Sequence, residues 1–433
     1  MSETNQTKPR VLIHTLGCKV NQYDSERLRT LLTQRGYCSV SDSDAEKADL
    51  IIVNTCSVTS ESDRKGRQLI RKLIRQNPNA RVAVTGCYSE RKPHEILQIH
   101  GVDEIIPIEN QEQWVDGLVE TLGWGCEDQD AFWNNDGIDA FHEHTRAFVK
   151  IQDGCDLKCT FCSIPQSRGQ GRSRPIPEVV AECRTLLQRG YPEIVLCGIC
   201  IGHYGHEQDY DLPDLVEEII QLAGIKRLRI SSMEPQDVTD KLYETMTRRR
   251  DVVCPHLHLP LQSGSNRVLR RMKRPYTFDF FLERLRQARR TLPDYEISTD
   301  IMVGFPGETD DDFQQTLEAV RICHFSKVHS FRFSARENTP AMRMKDHVPA
   351  TIVEERRRLL DKTALKVANL VKRNYIGREM AILSEQFEHD HGDGFTANYL
   401  RVDYVSPRPI ARGEIVSVHL QSLQKGRLKG SIV

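Results

Sequence analysis

Gly154-Cys155-Asp156-Leu157-Lys158-Cys159-Thr160-Phe161-Cys162 follows directly on an apolar run, Ala147 to Ile151, and decides how the middle of the chain is read. Three cysteines at C-x3-C-x2-C spacing let one short loop wrap three thiolates around a single compact iron–sulfur cluster. A cubane normally takes four Cys ligands, one per iron, so three leave one iron open to a ligand that is not protein. A zinc site is the competing reading, as is a group of ordinary buried cysteines. Zinc sites of this kind come as two C-x2-C halves, and no matching half follows at the usual distance.

The 433-residue length predicts two to three domains. No apolar run reaches the length of a membrane span, and Met1 to Arg10 lacks the apolar centre of a signal peptide. Thirteen cysteines without a secretory signal argue against a disulfide framework and for a reducing cytoplasm with cluster or metal ligation. The net charge of -1 excludes a uniformly basic nucleic-acid binder, so any nucleic-acid surface has to be local.

Before the loop, strands and helices alternate. Strands are predicted at Val11–Leu16, Ala48–Asn54, Arg81–Thr85 and Glu104–Ile108, with helices at Ser25–Arg35, Ser60–Gln76, Glu90–Gln98 and Gln111–Leu122. This pattern predicts a doubly wound parallel sheet. Cys18, Cys56 and Cys87 each lie just past the carboxyl end of a strand, the edge where open α/β sheets bind ligands. Their convergence predicts a second cluster with three protein ligands. Three unrelated core cysteines are the bland alternative.

The 154–162 loop, with its aromatic Phe161, resembles that of the radical S-adenosylmethionine enzymes. Gly17-Cys18-Lys19-Val20-Asn21-Gln22, Asn54-Thr55-Cys56 and Gly86-Cys87 resemble the first domain of the methylthiotransferases, and the first of these is most similar to the branch acting on N6-threonylcarbamoyladenosine in tRNA. The resemblance covers nearly the whole chain. It implies two 4Fe-4S clusters, on Cys18, Cys56 and Cys87 and on Cys155, Cys159 and Cys162. It also implies S-adenosylmethionine held by its amino and carboxylate groups on the open iron of the second cluster and cleaved there to a 5′-deoxyadenosyl radical. The reaction implied is insertion of a methylthio group at C2 of the modified adenosine next to the anticodon. The other readings are the same chemistry on N6-isopentenyladenosine or on a ribosomal protein, or a non-catalytic iron–sulfur sensor that binds RNA.

The domains expected are 9–124 (the first α/β domain), 125–145 (a linker, with Cys126 as a surface thiol), 146–349 (an open (β/α)6 partial barrel), 350–376 (a connecting helix) and 377–433 (a small β-barrel). The partial barrel takes strands at Ala147–Ile151, Glu193–Cys197, Arg227–Ser231, His256–Leu259, Glu296–Val303 and Lys327–Phe333, with its chemistry at their carboxyl ends. Phe161, Gly198, Ser232, Glu234, Gln262 and Asp300 fall there and are the candidate cofactor contacts, Glu234 for a ribose hydroxyl. Cys197 and Cys200 form an extra C-x2-C, read as packing residues rather than a metal or redox pair, as are Cys38, Cys183, Cys254 and Cys323.

Past residue 377, strands are expected at Glu379–Leu383, Phe395–Val405 and Glu414–Leu420. Residues 401–433 carry six Lys/Arg against two Asp/Glu, and with Asn398-Tyr399-Leu400-Arg401-Val402 this segment resembles the RNA-binding TRAM domain. Arg168, Arg172, Arg174, Arg401, Arg412, Lys425 and Arg427 are the candidate RNA contacts, and Arg270, Arg271, Lys273 and Arg274 form a further basic group that phosphate would suit. The partners expected are the tRNA anticodon loop, an electron-donating redox protein and a sulfur source, in the cytoplasm and away from membranes.

Overall fold

The computed structural model describes residues 8–41, 48–122, 138, 141, 144–292 and 294–433. Cys126 lies outside them. The chain forms two compact units, one of residues 1–140 with 153–156 and 162–170, the other of 141–152 with 157–161 and 171–433.

The first unit holds a five-stranded parallel sheet in the order Cys38–Ser39, Arg10–Thr15, Leu50–Thr55, Arg81–Gly86, Glu104–Ile105. Leu50–Thr55 is buried along its whole length, which is why it reads as an unbroken apolar run rather than an alternation. One face packs Leu28, Leu31, Leu32, Val115 and Leu118 against the sheet. The other packs Ile70, Leu73, Ile96 and Ile99. The first helix runs Lys19–Gln34, six residues earlier than the sequence suggests. Its opening turns bury Asn21, Asp24, Ser25 and Glu26 beside Val20 and Tyr23, so the apolar period is interrupted there. The Glu90–Gln98 helix is two short ones, Cys87–Arg91 and Pro93–Leu97, broken at the proline. Cys38 is exposed on the edge strand rather than packed.

In the second unit, Ala147–Asp153, Glu193–Gly198 and Arg227–Ile230 pair in parallel, as do His256–His258, Glu296–Val303 and Lys327–Arg332. Isolated parallel bridges, Leu228 to Val253 and Ser232 to His258, join the two sets into one open arc. The six strands stand where expected, but the ladder thins at its middle. A helix, Ala350–Arg373, leads to a closed barrel of Glu379–Glu388, His391–Thr396, Arg401–Val405, Arg427–Ile432 and Ile415–Gln424. The expected single strand over 395–405 is two strands. Between them the chain turns through Tyr399 at φ +67°, and the buried Asn398 donates to Asp294 O at 3.1 Å.

Buried arginines tie this barrel to the arc. Arg227 donates to the carbonyls of Phe395 (3.0 Å) and Ala381 (2.7 Å). Arg229 donates to Ala397 O (2.8 Å) and Glu193 Oε1 (2.7 Å) and lies over the Tyr399 ring at 4.6 Å. Glu296 closes the seam by accepting from Tyr375 Oη at 2.7 Å, while its Oε2 is buried without a hydrogen bond. Burial pushes this carboxyl up to about 7, only partly offset by Tyr375. The folded chain therefore binds the extra proton between the ordinary Glu range and about 7, and stability is lost as pH rises through that window. Glu296→Gln keeps an acceptor for Tyr375 and removes the buried charge. It is expected to stabilise the protein by roughly 1–3 kcal/mol at pH 8. At pH 5 the gain should vanish, and Tm measured at both pH values reads the difference.

Candidate functional site

The three thiols of the first unit meet at the carboxyl edge of its sheet. Cys18 opens the first helix, Cys56 follows Leu50–Thr55, and Cys87 begins the helix after Gly86. Asn21 fastens this edge: its Nδ2 donates to Leu16 O (2.9 Å), Asn54 Oδ1 (3.0 Å) and Thr55 O (3.1 Å). Its Oδ1 lies 3.6 Å from Cys18 Sγ and 4.0 Å from Cys87 Sγ. Gly17, at φ +121°, is needed because a Cβ there would stand 2.9 Å from Cys56 Cβ. Burial pushes the Cys56 thiol up to about 11 and raises Cys87 as well. Such thiols release their protons when a cation takes their place, and that is the donor chemistry of a cluster site.

Arg168 departs furthest from the expectation its sequence context sets. It was expected on an RNA-facing surface, yet its side chain is fully buried within this unit. Nε donates to Cys87 Sγ at 3.2 Å, Nη1 to Asp153 at 3.0 Å, and Nη2 to Asp24 Oδ2 at 2.8 Å and Asn21 Oδ1 at 3.0 Å. The charge density of 168–174 looks like a solvated patch, and no spacing rule marks one of its arginines as internal.

In the 154–162 loop, Gly154 sits at φ +71°, where a Cβ would collide with Gln170 O, and Cys155 N donates to Gly169 O at 3.1 Å. Ile164 N donates to Cys162 Sγ at 3.4 Å. Within the second unit, Thr160 bonds the carbonyls of Met272 (3.1 Å) and Arg271 (2.9 Å), and Phe161 meets Phe305 edge-on at 6.4 Å. Arg274, grouped from the sequence with phosphate-facing residues, is instead buried. It donates to Cys159 Sγ at 3.2 Å and Tyr276 Oη at 2.9 Å, and it is ion-paired with Glu234. Each cysteine set therefore has one internal arginine bonded to a sulfur.

The remaining candidates lie on the carboxyl ends of the arc. A Cβ at Gly198 would stand 2.8 Å from Gln152 O, and Gln152 Oε1 accepts from Ile199 N (3.1 Å) and Cys200 N (2.7 Å). Gln262 takes φ +65° and donates from its backbone to Asp300 O at 2.8 Å. Asp300 Oδ1 is 3.3 Å from His258 Nε2, on the chain segment that bridges to Ser232. Glu234, Arg274 and Cys159 are thus brought together, as are Gln262, Asp300 and His258.

Among the RNA-contact candidates Arg172, Arg412 and Lys425 are exposed. Arg174 donates to Glu182 Oε2 at 2.6 Å. Arg401 and Arg427 share Asp393, both on the barrel surface.

The model of the uncharacterized protein family UPF0004 matches residues 10–107, and that of the radical SAM superfamily matches residues 149–320. The chain is 39% identical over 425 residues to the Bacillus subtilis threonylcarbamoyladenosine tRNA methylthiotransferase MtaB, covering 95% of this chain and 93% of that one. The chain belongs to the radical S-adenosylmethionine methylthiotransferase family. The Thermotoga maritima MtaB is 37% identical, with 96% and 95% covered. A second branch of the methylthiotransferases is also similar: the Acetivibrio thermocellus tRNA-2-methylthio-N(6)-dimethylallyladenosine synthase is 31% identical, with 97% and 90% covered. The structure of the radical S-adenosylmethionine methyltransferase TsrM from Kitasatospora setae superposes with a TM-score of 0.58 at 14% identity, covering 77% of each chain, a likeness of fold.

Proposed function

We propose that this methylthiotransferase inserts a methylthio group at C2 of N6-threonylcarbamoyladenosine next to the anticodon of tRNA. The observation that carries the reading is near-full-length similarity to MtaB proteins, joined to three thiols gathered at one sheet edge and three more in one short loop. Cys18, Cys56 and Cys87 are assigned to one 4Fe-4S cluster and Cys155, Cys159 and Cys162 to the other. When bound, the clusters and S-adenosylmethionine supply the one-electron and sulfur chemistry, and the protein supplies position and electrostatics.

Arg168 and Arg274 each place a fixed positive charge and an N–H on a thiolate, which orients the sulfur and lowers the cost of holding it ionised. Gly198 lets the end of its strand pack closely against Gln152 and Ile201, and Glu234 presents a carboxylate for a ribose hydroxyl. Arg401, Arg412, Lys425 and Arg427 on the terminal barrel are assigned to the tRNA backbone, where contacts add affinity without reading sequence. An electron-donating redox protein and a sulfur source complete the cycle in the cytoplasm.

Mass spectrometry of tRNA nucleosides from cells with and without the gene tests the reading. Deletion is expected to remove 2-methylthio-N6-threonylcarbamoyladenosine and to accumulate its unthiolated precursor. Loss of the 2-methylthio-isopentenyl nucleoside instead would transfer the enzyme to the dimethylallyladenosine branch. No change in any thiolated nucleoside would reject tRNA as the substrate.

A further inference from the structure

Beside the cluster cysteines the second unit carries another group of metal-type donors. Cys200, His203 and Asp237 present one sulfur, one imidazole nitrogen and one carboxylate oxygen, all within 4.8 Å of one another. Cys200 and His203 belong to the turn after Glu193–Gly198, and Asp237 to the turn after Arg227–Ile230. His203 Nε2 stands 3.6 Å from Asp237 Oδ2.

Bonds of about 2.3 Å to sulfur and 2.0–2.2 Å to nitrogen and oxygen put the edges of a tetrahedral zinc site at roughly 3.3–3.6 Å, so small side-chain movements close the set on one ion. The local frame is built for approach. Gln152 Oε1 pins Cys200 N at 2.7 Å, and His203 N donates to Cys200 O at 3.0 Å. Any Cβ at residue 202 would collide with the Asp237 side chain, so Gly202 is what lets the two turns touch. His206 stacks on the His203 ring at 4.4 Å and limits its rotation.

The second observation is independent of the spacing. Asp237 is 9% exposed at its side chain, and its Oδ2 is buried with no hydrogen-bond partner. A buried carboxylate oxygen left so is costly unless a cation completes it. The extra C-x2-C of the sequence is therefore split by the fold. Cys197 stays in the strand, and Cys200 turns to a histidine and an aspartate.

We propose that Cys200, His203 and Asp237 bind one divalent cation of the zinc class, with a fourth position left to solvent. The ion ties together the turns that carry Gly198 and Glu234. It is a site additional to both iron–sulfur clusters, and it does not depend on which nucleoside is modified.

The test uses the reconstituted holoenzyme, given zinc and then dialysed, with zinc and iron per chain measured by mass spectrometry and the zinc environment by X-ray absorption. Expected are about one zinc per chain at unchanged iron, with one sulfur and otherwise nitrogen or oxygen neighbours. Asp237→Asn and Cys200→Ser should each weaken zinc binding by at least about tenfold at full iron content, and Cys197→Ser should not. Zinc should also raise the Tm of the wild type and leave that of Asp237→Asn unmoved. The proposal falls if the iron-loaded enzyme holds no zinc, if Asp237→Asn and Cys200→Ser both keep it, or if the zinc sees three sulfurs and replaces iron.

Discussion

Replacing Arg168 by methionine is expected to cost the first cluster and the methylthiolation that depends on it. The guanidinium reaches Asp24, Asp153, Asn21 and Cys87 together, and it does so with a fully buried side chain. Removing it leaves two buried carboxylates with their shared cation gone, a loss of about 3–5 kcal/mol for a broken buried pair. The burial that raises the Cys87 thiol then acts unopposed, because Arg168 is the main influence holding it down. Iron per chain should fall toward about half, since the cysteines of the other set remain. Product formation should drop roughly 10–100-fold even in samples corrected for iron. Arg168→Lys separates charge from geometry. It restores a cation between Asp24 and Asp153 but has no planar fork to reach the sulfur as well. Stability should recover more than activity does. Full iron content and unaltered turnover in Arg168→Met would sink the idea.

This residue also shows where the sequence stops being informative. Cys18, Cys56 and Cys87 were legible because strand ends are marked by apolar runs, and parallel strands put those ends on one edge. What lies behind them was not. Asn21, Asp24 and Ser25 face inward beside Val20 and Tyr23 and interrupt the apolar period, so the sequence pattern places the helix start at Ser25. Arg168 and Arg274 sit in basic runs, and a run of charge carries no sign of which member turns inside; partners far away in sequence decide that. The break at 397–400 leaves no mark in the sequence pattern for a related reason. Apolar and aromatic residues continue through it, and only the positive φ of Tyr399 and the inward Asn398 make the turn. Spacing alone pairs Cys200 with Cys197, but a strand end points successive positions in different directions, and Cys200 instead meets His203 of its own turn and Asp237 of another.

Arg274→Gln should act on the second cysteine set without unfolding it. Arg274 joins three groups: Cys159 Sγ at 3.2 Å, the Glu234 carboxylate and Tyr276 Oη, whose own hydroxyl donates to Pro260 O at 2.6 Å. A glutamine keeps polarity and most of the volume but loses the charge and cannot span sulfur and carboxylate at once. Hydrogen bonds and positive charge near cluster sulfurs raise the reduction potential, so the variant cluster is expected to be harder to reduce. Glu234 loses the cation that fixes it, so S-adenosylmethionine should bind more weakly as well, with turnover down roughly 10–100-fold. A purely structural role would move neither the potential nor the affinity for S-adenosylmethionine, and both can be measured on iron-loaded protein by redox titration and by equilibrium binding. Glu234→Gln supplies the counterpart. It keeps Arg274 on the sulfur, so it should weaken S-adenosylmethionine binding while leaving the potential nearly where it was. If both variants shift both quantities together, Arg274 and Glu234 act as one unit on the cluster rather than as a bridge between cluster and nucleoside.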